Sequence, residues 1–269
     1  MKMKAKTTIG WAGLIFAVGL MLTASGCIQL RARDQLNKGV GSYRAGQYEV
    51  AIEHFKRAVA FDPELVNAQL YLATAYSIQY VPGADTEENL QVGELAIEEF
   101  EKVLTKNPDN LDSIVGIAQL YFNMKRMDEA KEFRRKQISL DPTNEEAYYA
   151  IGVIDWTLTY QPRMALKVRL GLRADQPFPR KEFREELTER NNPLIDEGME
   201  NLNKAIELRP DYDDAMAYLN LLYRERADLM DTEEEREELL VTADTWIAKT
   251  LDIKKARAEA EAAKSRAGG

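Results

Sequence analysis

Four prolines recur in one setting along this chain: Phe61-Asp62-Pro63-Glu64, Lys106-Asn107-Pro108-Asp109, Leu140-Asp141-Pro142-Thr143 and Leu208-Arg209-Pro210-Asp211. Each closes one amphipathic stretch and precedes another that opens with acidic or amide residues. The spacing from Pro108 to Pro142 is one period, and that from Pro142 to Pro210 is twice as long. The spacing from Pro63 to Pro108 is one period with extra chain inserted. A fixed period of about 34 residues predicts helical hairpins, each burying its apolar face against the next. Proline stops the helix before it, because it lacks an N–H and pushes its predecessor out of the helical region.

Composition narrows the function classes. Apolar residues make up 45% and charged residues 30% of the 269, as in a folded protein. Net charge is −9, and since residues 1–26 hold three lysines and no acid, the remainder stands at −12. Such an acidic chain is a poor match for nucleic acid, whose phosphates need clustered Lys and Arg. A single cysteine and a single histidine exclude an internal disulfide framework and a zinc site built from several Cys and His.

The amino terminus reads as an address. Lys2, Lys4 and Lys6 precede a short apolar centre, Ile9 to Leu22, and residues 7–30 carry no charge. That centre suits a secretory signal better than a membrane span. The run Leu22-Thr23-Ala24-Ser25-Gly26-Cys27 follows it and resembles the lipobox of bacterial lipoproteins, although Ala24 replaces the usual Leu. The resemblance implies cleavage before Cys27, a covalent lipid on Cys27 and no other cofactor. With Ile28 rather than Asp next, it also implies an outer-membrane protein facing the periplasm. The alternative is an uncleaved anchor helix, since the uncharged stretch 7–30 is long enough to span a bilayer with some tilt.

From Ala32 the repeats begin. The first places Gly39 in helix A, Gly46 and Tyr48 at the turn, and Ala51, Phe55 and Ala58 in helix B before Pro63. Gly39 and Ala51 leave room where the helices cross, and Phe55 fills the space beside them. The second has Leu72, Ala73 and Tyr76, then Ala96, Phe100 and Val103, with extra chain around Tyr80 to Asp85. Asp85 with Glu88 is the expected cap of its helix B. The third has Ile117, Ala118, Tyr121 and Ala130, but Arg134 and Gln137 stand where an aromatic and a small residue belong. The fourth opens with Tyr148, Ile151 and Gly152 and resumes at Gly198, Leu202 and Ala205; the fifth holds Met216, Leu219 and Tyr223, with a helix B expected from Thr232 to Ile253.

This pattern resembles the tetratricopeptide repeat. The resemblance implies an all-α, right-handed solenoid of stacked helix hairpins, about five repeats over residues 32–252, with insertions near 80–90 and 161–193. Residues 1–26 are then the signal peptide, 27–31 a lipidated tether and 253–269 a charged tail, helical and then disordered. It also implies that helix A side chains line a concave face that binds a peptide or partner helix. Carried onto this chain, that face holds Tyr43, Leu70, Phe122, Asn123, Tyr149, Val153 and Trp156. Val40 and Tyr71 stand where the family's clamp for C-terminal carboxylates has paired asparagines, which argues against a chaperone-tail receptor. Aromatic anchors in such a surface suit an extended peptide or a helix; the alternative is that these aromatics are core or are covered by the inserts.

The larger insert is basic. Arg163, Lys167, Arg169, Arg173, Arg180 and Lys181 face only Asp175, so residues 161–181 carry +5. Gly171, Pro177 and Pro179 predict a loop, and Lys181 to Arg190 a short charged helix ending before Pro193. Two readings stand: a site for anionic headgroups, an acidic partner or an envelope polymer, or a basic cover lying on an acidic face of the repeats. His54, beside Phe55, lacks partners for catalysis or metal binding and reads as a boundary residue. The chain shows no nucleophile–base pair, phosphate loop or metal-ligand spacing. The expectation is a non-enzymatic, lipid-anchored scaffold that binds envelope proteins or peptides. The alternative is a periplasmic module that captures a small anionic metabolite or lipid for a transporter.

Overall fold

A computed structural model describes the backbone of residues 11–267 and the side chains of residues 28–266. The expected signal segment, residues 1–26, and the expected lipid-bearing Cys27 lie outside the described side chains. Among the described residues the chain is helical throughout, and no helix is long and apolar enough to cross a membrane. It divides into two compact units, Met1–Met124 and Lys125–Gly269.

The first unit contains α1 (Trp11–Arg44), α2 (Tyr48–Phe61), α3 (Val66–Gln79), α4 (Glu87–Lys106) and α5 (Leu111–Asn123). Each helix packs on the next, and α1, α3 and α5 also touch in series. The core is the expected one: Ala51, Phe55 and Ala58 from α2, Leu72 and Ala73 from α3, Ala96, Phe100 and Val103 from α4, and Ile117 and Ala118 from α5 are all buried. Gly39 is needed for close approach, because a Cβ there would sit 2.4 Å from Cε1 of Phe55.

The second unit contains α6 (Met127–Leu140), α7 (Glu145–Arg169), α8 (Lys181–Leu208), α9 (Asp213–Ala227) and α10 (Glu233–Ala267). Its core runs through Leu166, Phe178, Leu187, Ile195, Leu202, Ala205, Leu219 and Leu222. On α6, Arg134 and Gln137 are buried at the repeat's core positions, and Nη1 of Arg134 donates to Oε1 of Gln137 at 2.9 Å. The helix therefore keeps its register with polar residues facing inward.

The four proline turns are one turn repeated. Asp62, Asn107, Asp141 and Arg209, the residues before the prolines, take φ between −140° and −131° and ψ between 86° and 91°. The carbonyl of each accepts from the N–H three residues on, at Leu65, Asn110, Asn144 and Tyr212. Asn110 and Asn144 then cap α5 and α7 by accepting from the backbone of Ser113 and Ala147 at 2.9 and 3.0 Å.

Two expectations are corrected. Thr86, not Asp85, caps α4 by accepting from the Asn89 N–H. The side chain of Asn89 also binds both backbone groups of Val81 and the carbonyl of Ala84, which closes the intervening loop. The larger insert lengthens a hairpin around the expected loop, residues 170–180, and the short helix expected to end before Pro193 is part of a longer one: α7 runs through Pro162 to Arg169, and α8 runs through Pro193 from Lys181 to Leu208. Packing against each other carries these helices past the missing N–H groups, and Phe178, between two prolines, is buried in the core. The last helix, α10, runs past Ile253 to Ala267. Thr232 and Glu235 form its capping box, and past residue 252 Arg257 ties it to Asp213 at 2.6 Å.

Candidate partner-binding face and basic cleft

The residues expected on the concave face fall into both units. In the first, Tyr43, Leu70, Phe122 and Asn123 are half-buried on α1, α3 and α5. The Tyr43 ring meets Tyr48 and Tyr71 edge-on at 5.5 and 6.4 Å, and Tyr71 stacks on Phe55 at 5.5 Å. Burial raises the Tyr43 phenol pKa above its ordinary value, so the group stays a neutral donor. Asn123 is less available than its position suggests, since its Oδ1 accepts from Gln119 at 3.0 Å.

In the second unit Tyr149, Val153 and Trp156 share one face of α7, at helical spacing. Tyr149 packs on Tyr212 at 5.0 Å and edge-on to Tyr218 at 5.6 Å. Trp156 packs on Tyr160 at 4.9 Å and edge-on to Tyr218 at 5.2 Å. Tyr218 on α9 therefore joins two side chains of α7 into one aromatic row. Sequence reasoning missed it because it lies one place from the helix A position that the family pattern selects.

This row is half-buried, with a polar fringe. Burial holds the phenols of Tyr149, Tyr212 and Tyr218 well above the ordinary tyrosine range, helped by Glu146 at Tyr149 and Tyr212 and by Asp214 at Tyr149 and Tyr218. Tyr212 donates to Glu146 at 2.6 Å. Nε1 of Trp156 is buried without a hydrogen-bond partner. The face thus offers aromatic area, donors and two exposed carboxylates, Glu146 and Asp214. Apolar and cationic side chains match that chemistry.

The six basic residues of the insert do not form one patch. Arg163 and Lys167 turn inward and are buried, which removes them from an exposed basic patch. Arg163 donates to Glu225 and Asp228 at 2.6 and 2.7 Å, and Lys167 pairs with Asp228 at 2.6 Å. Burial works against the Arg163 charge, but the two carboxylates outweigh it and hold its pKa above normal. Burial prevails at Lys167 and lowers its pKa. The other four are exposed: Arg169 pairs with Glu186, Arg173 with Asp175 and Lys181 with Glu185, while Arg180 lies 4.4 Å over the Phe183 ring. Beside Arg163 opens a cleft of about 290 Å³, also lined by Arg224 and Arg236.

A second buried ion network joins α6, α7 and α8. Lys131 bridges Asp155 and Glu197, and Arg135 reaches Glu197 from outside. Burial lifts the Asp155 carboxyl to about 7 against the pull of Lys131, and its Oδ2 has no partner. His54 sits half-buried at the α1–α2 contact with its Nδ1 2.8 Å from Oε1 of Gln35.

Comparison with known proteins bears on the fold. Residues 94–154 match the tetratricopeptide repeat family. Tetratricopeptide repeat protein 8 of Mus musculus is 32% identical over 124 residues, 46% of this chain and 22% of the relative. Tetratricopeptide repeat protein 13 of Homo sapiens is 26% identical over 185 residues, 67% of this chain and 20% of the relative. The chain thus spans about a fifth of the length of these two relatives. Among solved structures, MamA from Desulfovibrio magneticus RS-1 superposes with a TM-score of 0.56 at 15% identity, over 84% of this chain and 96% of that one. YrrB, a repeat protein with an unusual peptide-binding site, superposes with a TM-score of 0.51 at 15% identity, over 82% and 90%. The chain carries tetratricopeptide repeat sequence, and its fold is the all-α solenoid class of stacked helix hairpins that these structures share.

Proposed function

We propose that this protein is a non-enzymatic scaffold, anchored by lipid on Cys27 in a bacterial cell envelope, that binds a partner peptide or helix on its helix A faces. The observation that carries the reading is the aromatic row of Tyr149, Val153, Trp156 and Tyr218. It is half-buried, its tyrosines stay neutral donors, and the exposed acids Glu146 and Asp214 lie near Tyr149. A partner segment with apolar and basic side chains fits it, such as an amphipathic helix or an extended strand. YrrB, with a similar fold, is a repeat protein with a peptide-binding site.

The anchor rests on the lipobox resemblance. The described side chains that follow it are compatible with a bilayer surface: Ile28 and Leu30 are exposed, and so are Arg31 and Arg33. Acyl chains, each contributing about 0.8 kcal/mol per buried methylene, would hold such a tether on the membrane. Two measurements test the two halves. Cys27→Ser abolishes fatty-acid labelling and frees the protein from the membrane fraction; labelling that persists removes the anchor. Crosslinking in the native envelope recovers a partner from the parent, and Trp156→Ala and Tyr218→Ala reduce that recovery. Equal recovery from both variants removes the aromatic row from the binding face.

A further inference from the structure

Three arginines from three helices border the cleft of the second unit: Arg163 on α7, Arg224 on α9 and Arg236 on α10. Asp228, Leu240, Ala174 and Asp175, whose exposed carboxylate is taken up by Arg173, complete its wall. Each guanidinium has five N–H donors in a fixed fork, and here each is held without being saturated. Arg163 donates from Nε to Glu225 and from Nη1 to Asp228 and the Ala174 carbonyl, which leaves Nη2. Arg224 donates from Nε to Asn220 at 3.0 Å and from Nη2 to Asp244, which leaves Nη1. Arg236 uses both amino groups, on Glu233, Glu237 and the Asp175 carbonyl, but its Nε is buried with no partner.

The charges are arranged unevenly with depth. At the floor, one buried carboxylate, Asp228, serves both Arg163 and the fully buried Lys167, and Glu225 answers Arg163 once more. The acids that answer Arg224 and Arg236 belong to the rim instead. Asp244, Glu233 and Glu237 are 67%, 65% and 60% exposed. Carboxylates that reach in from water in this way exchange readily, so an incoming anion can replace them. A guanidinium favours carboxylate and phosphate oxygens because two parallel N–H groups match them. Leu240 offers an apolar contact for a carbon skeleton, and the volume lies at the small end of the range for ligand pockets.

We infer that this cleft binds a small organic oxyanion, its carboxylate or phosphate group held by Arg224 and Arg236 and its carbon skeleton resting on Leu240. The site is separate from the aromatic row and does not depend on what binds there. Arg163 acts as the fixed cation at its back, locked by Glu225 and Asp228. The inference gives the basic insert a role different from a surface patch: its one cleft-lining cation works from inside the hairpin.

Calorimetric titration of the full chain with citrate and with glycerol 3-phosphate, at ionic strength held constant with sodium chloride, tests this. The expected result is a saturable heat with at least one anion, with affinity reduced about tenfold in Arg224→Gln and in Arg236→Gln. Response to citrate alone marks a carboxylate ligand, and response to glycerol 3-phosphate alone a phosphate ligand. Leu240→Asp, which places a carboxylate in the wall, abolishes the heat and serves as the check if either arginine variant melts below the parent. Absence of a saturable heat with both anions, or parental affinity in all three variants, overturns the assignment.

Discussion

Gly152 and Leu202 approach so closely that no side chain fits between them: a Cβ on Gly152 would sit 2.4 Å from Cγ of Leu202. Gly152 lies on α7 and Leu202 is fully buried on α8, so the contact sets how near the two long helices of the lengthened hairpin come. Replacing a helical glycine by alanine ordinarily gains about 1 kcal/mol. Overpacking a rigid core costs about 1–3 kcal/mol, and here the obstacle is a branched carbon. Gly152→Ala should lower stability to urea, and Gly152→Ala with Leu202→Ala should lose less than the two changes separately. A single variant as stable as the parent would show that the helices can part without penalty.

Lys125 occupies the turn before α6 that Gly46 occupies before α2, and it takes the same left-handed backbone, with φ of 61° against 74°. The strain of that conformation for a residue with a Cβ is about 1–2 kcal/mol. Lys125→Gly should therefore raise stability by roughly 0.5–1 kcal/mol, after the added entropy of glycine in the unfolded chain. Gly46→Ala should lower it by a similar amount. Thermal melts of the two variants check the pair, and a loss in Lys125→Gly would contradict it.

Stability should depend on pH through Asp155. Its carboxyl titrates at about 7 in the folded protein, whereas an unfolded aspartate titrates near about 3.9. Between these values the folded state holds a proton that the unfolded chain has lost, so stability falls as pH rises from about 4 to about 7. The facing charged groups are Lys131 and Arg135 on α6 and Glu197 on α8. Burial pushes Glu197 up, but hydrogen bonds from Lys131 and Arg135 outweigh it and leave its pKa below normal. Its contribution is present above the ordinary glutamate value and lost as pH falls, below the Asp155 window. Asp155→Asn should flatten the slope across that window; an unchanged slope would place the titrating group elsewhere.

The end of α10 should divide sharply under truncation. Beyond Arg257 the described side chains are exposed, whereas Thr250 is buried and Arg257 pairs with Asp211 and Asp213. Removing residues 259–269 should leave the urea midpoint unchanged, as surface changes away from such contacts usually do. Removing 250–269 should lower it clearly. Equal midpoints for both truncations would mean that the docked segment contributes nothing.

Much of the fold was legible because its signals are local. A proline forces the residue before it into extended backbone whatever the rest of the chain does, and four such residues take nearly one conformation. The pairing of Gly39 with Phe55 was also readable, since both belong to one hairpin joined by a short turn. Even at Arg134 and Gln137, where the residue types contradicted the pattern, the period located the buried positions correctly. The aromatic residues of α7 were picked from the helix A positions that the family resemblance implies, but their partner Tyr218 lies off those positions and was not.

What tertiary structure decided depends on partners distant in sequence. Pro193 reads as a helix break, yet the packing of α7 on α8 carries α8 through it. Arg163 and Lys167 read as part of a basic run that was either a surface site or a cover on an acidic face of the repeats. Their burial depends on Glu225 and Asp228, carboxylates at the end of α9 that no local pattern links to them. The sequence by itself determined the period, the turns and the small-against-large contacts within hairpins, because short-range sterics act before the chain is assembled. Where the inserted chain went, and which charges were buried, followed only from helices meeting across the unit, because an ion survives desolvation only where a distant partner and its hydrogen bonds come to meet it.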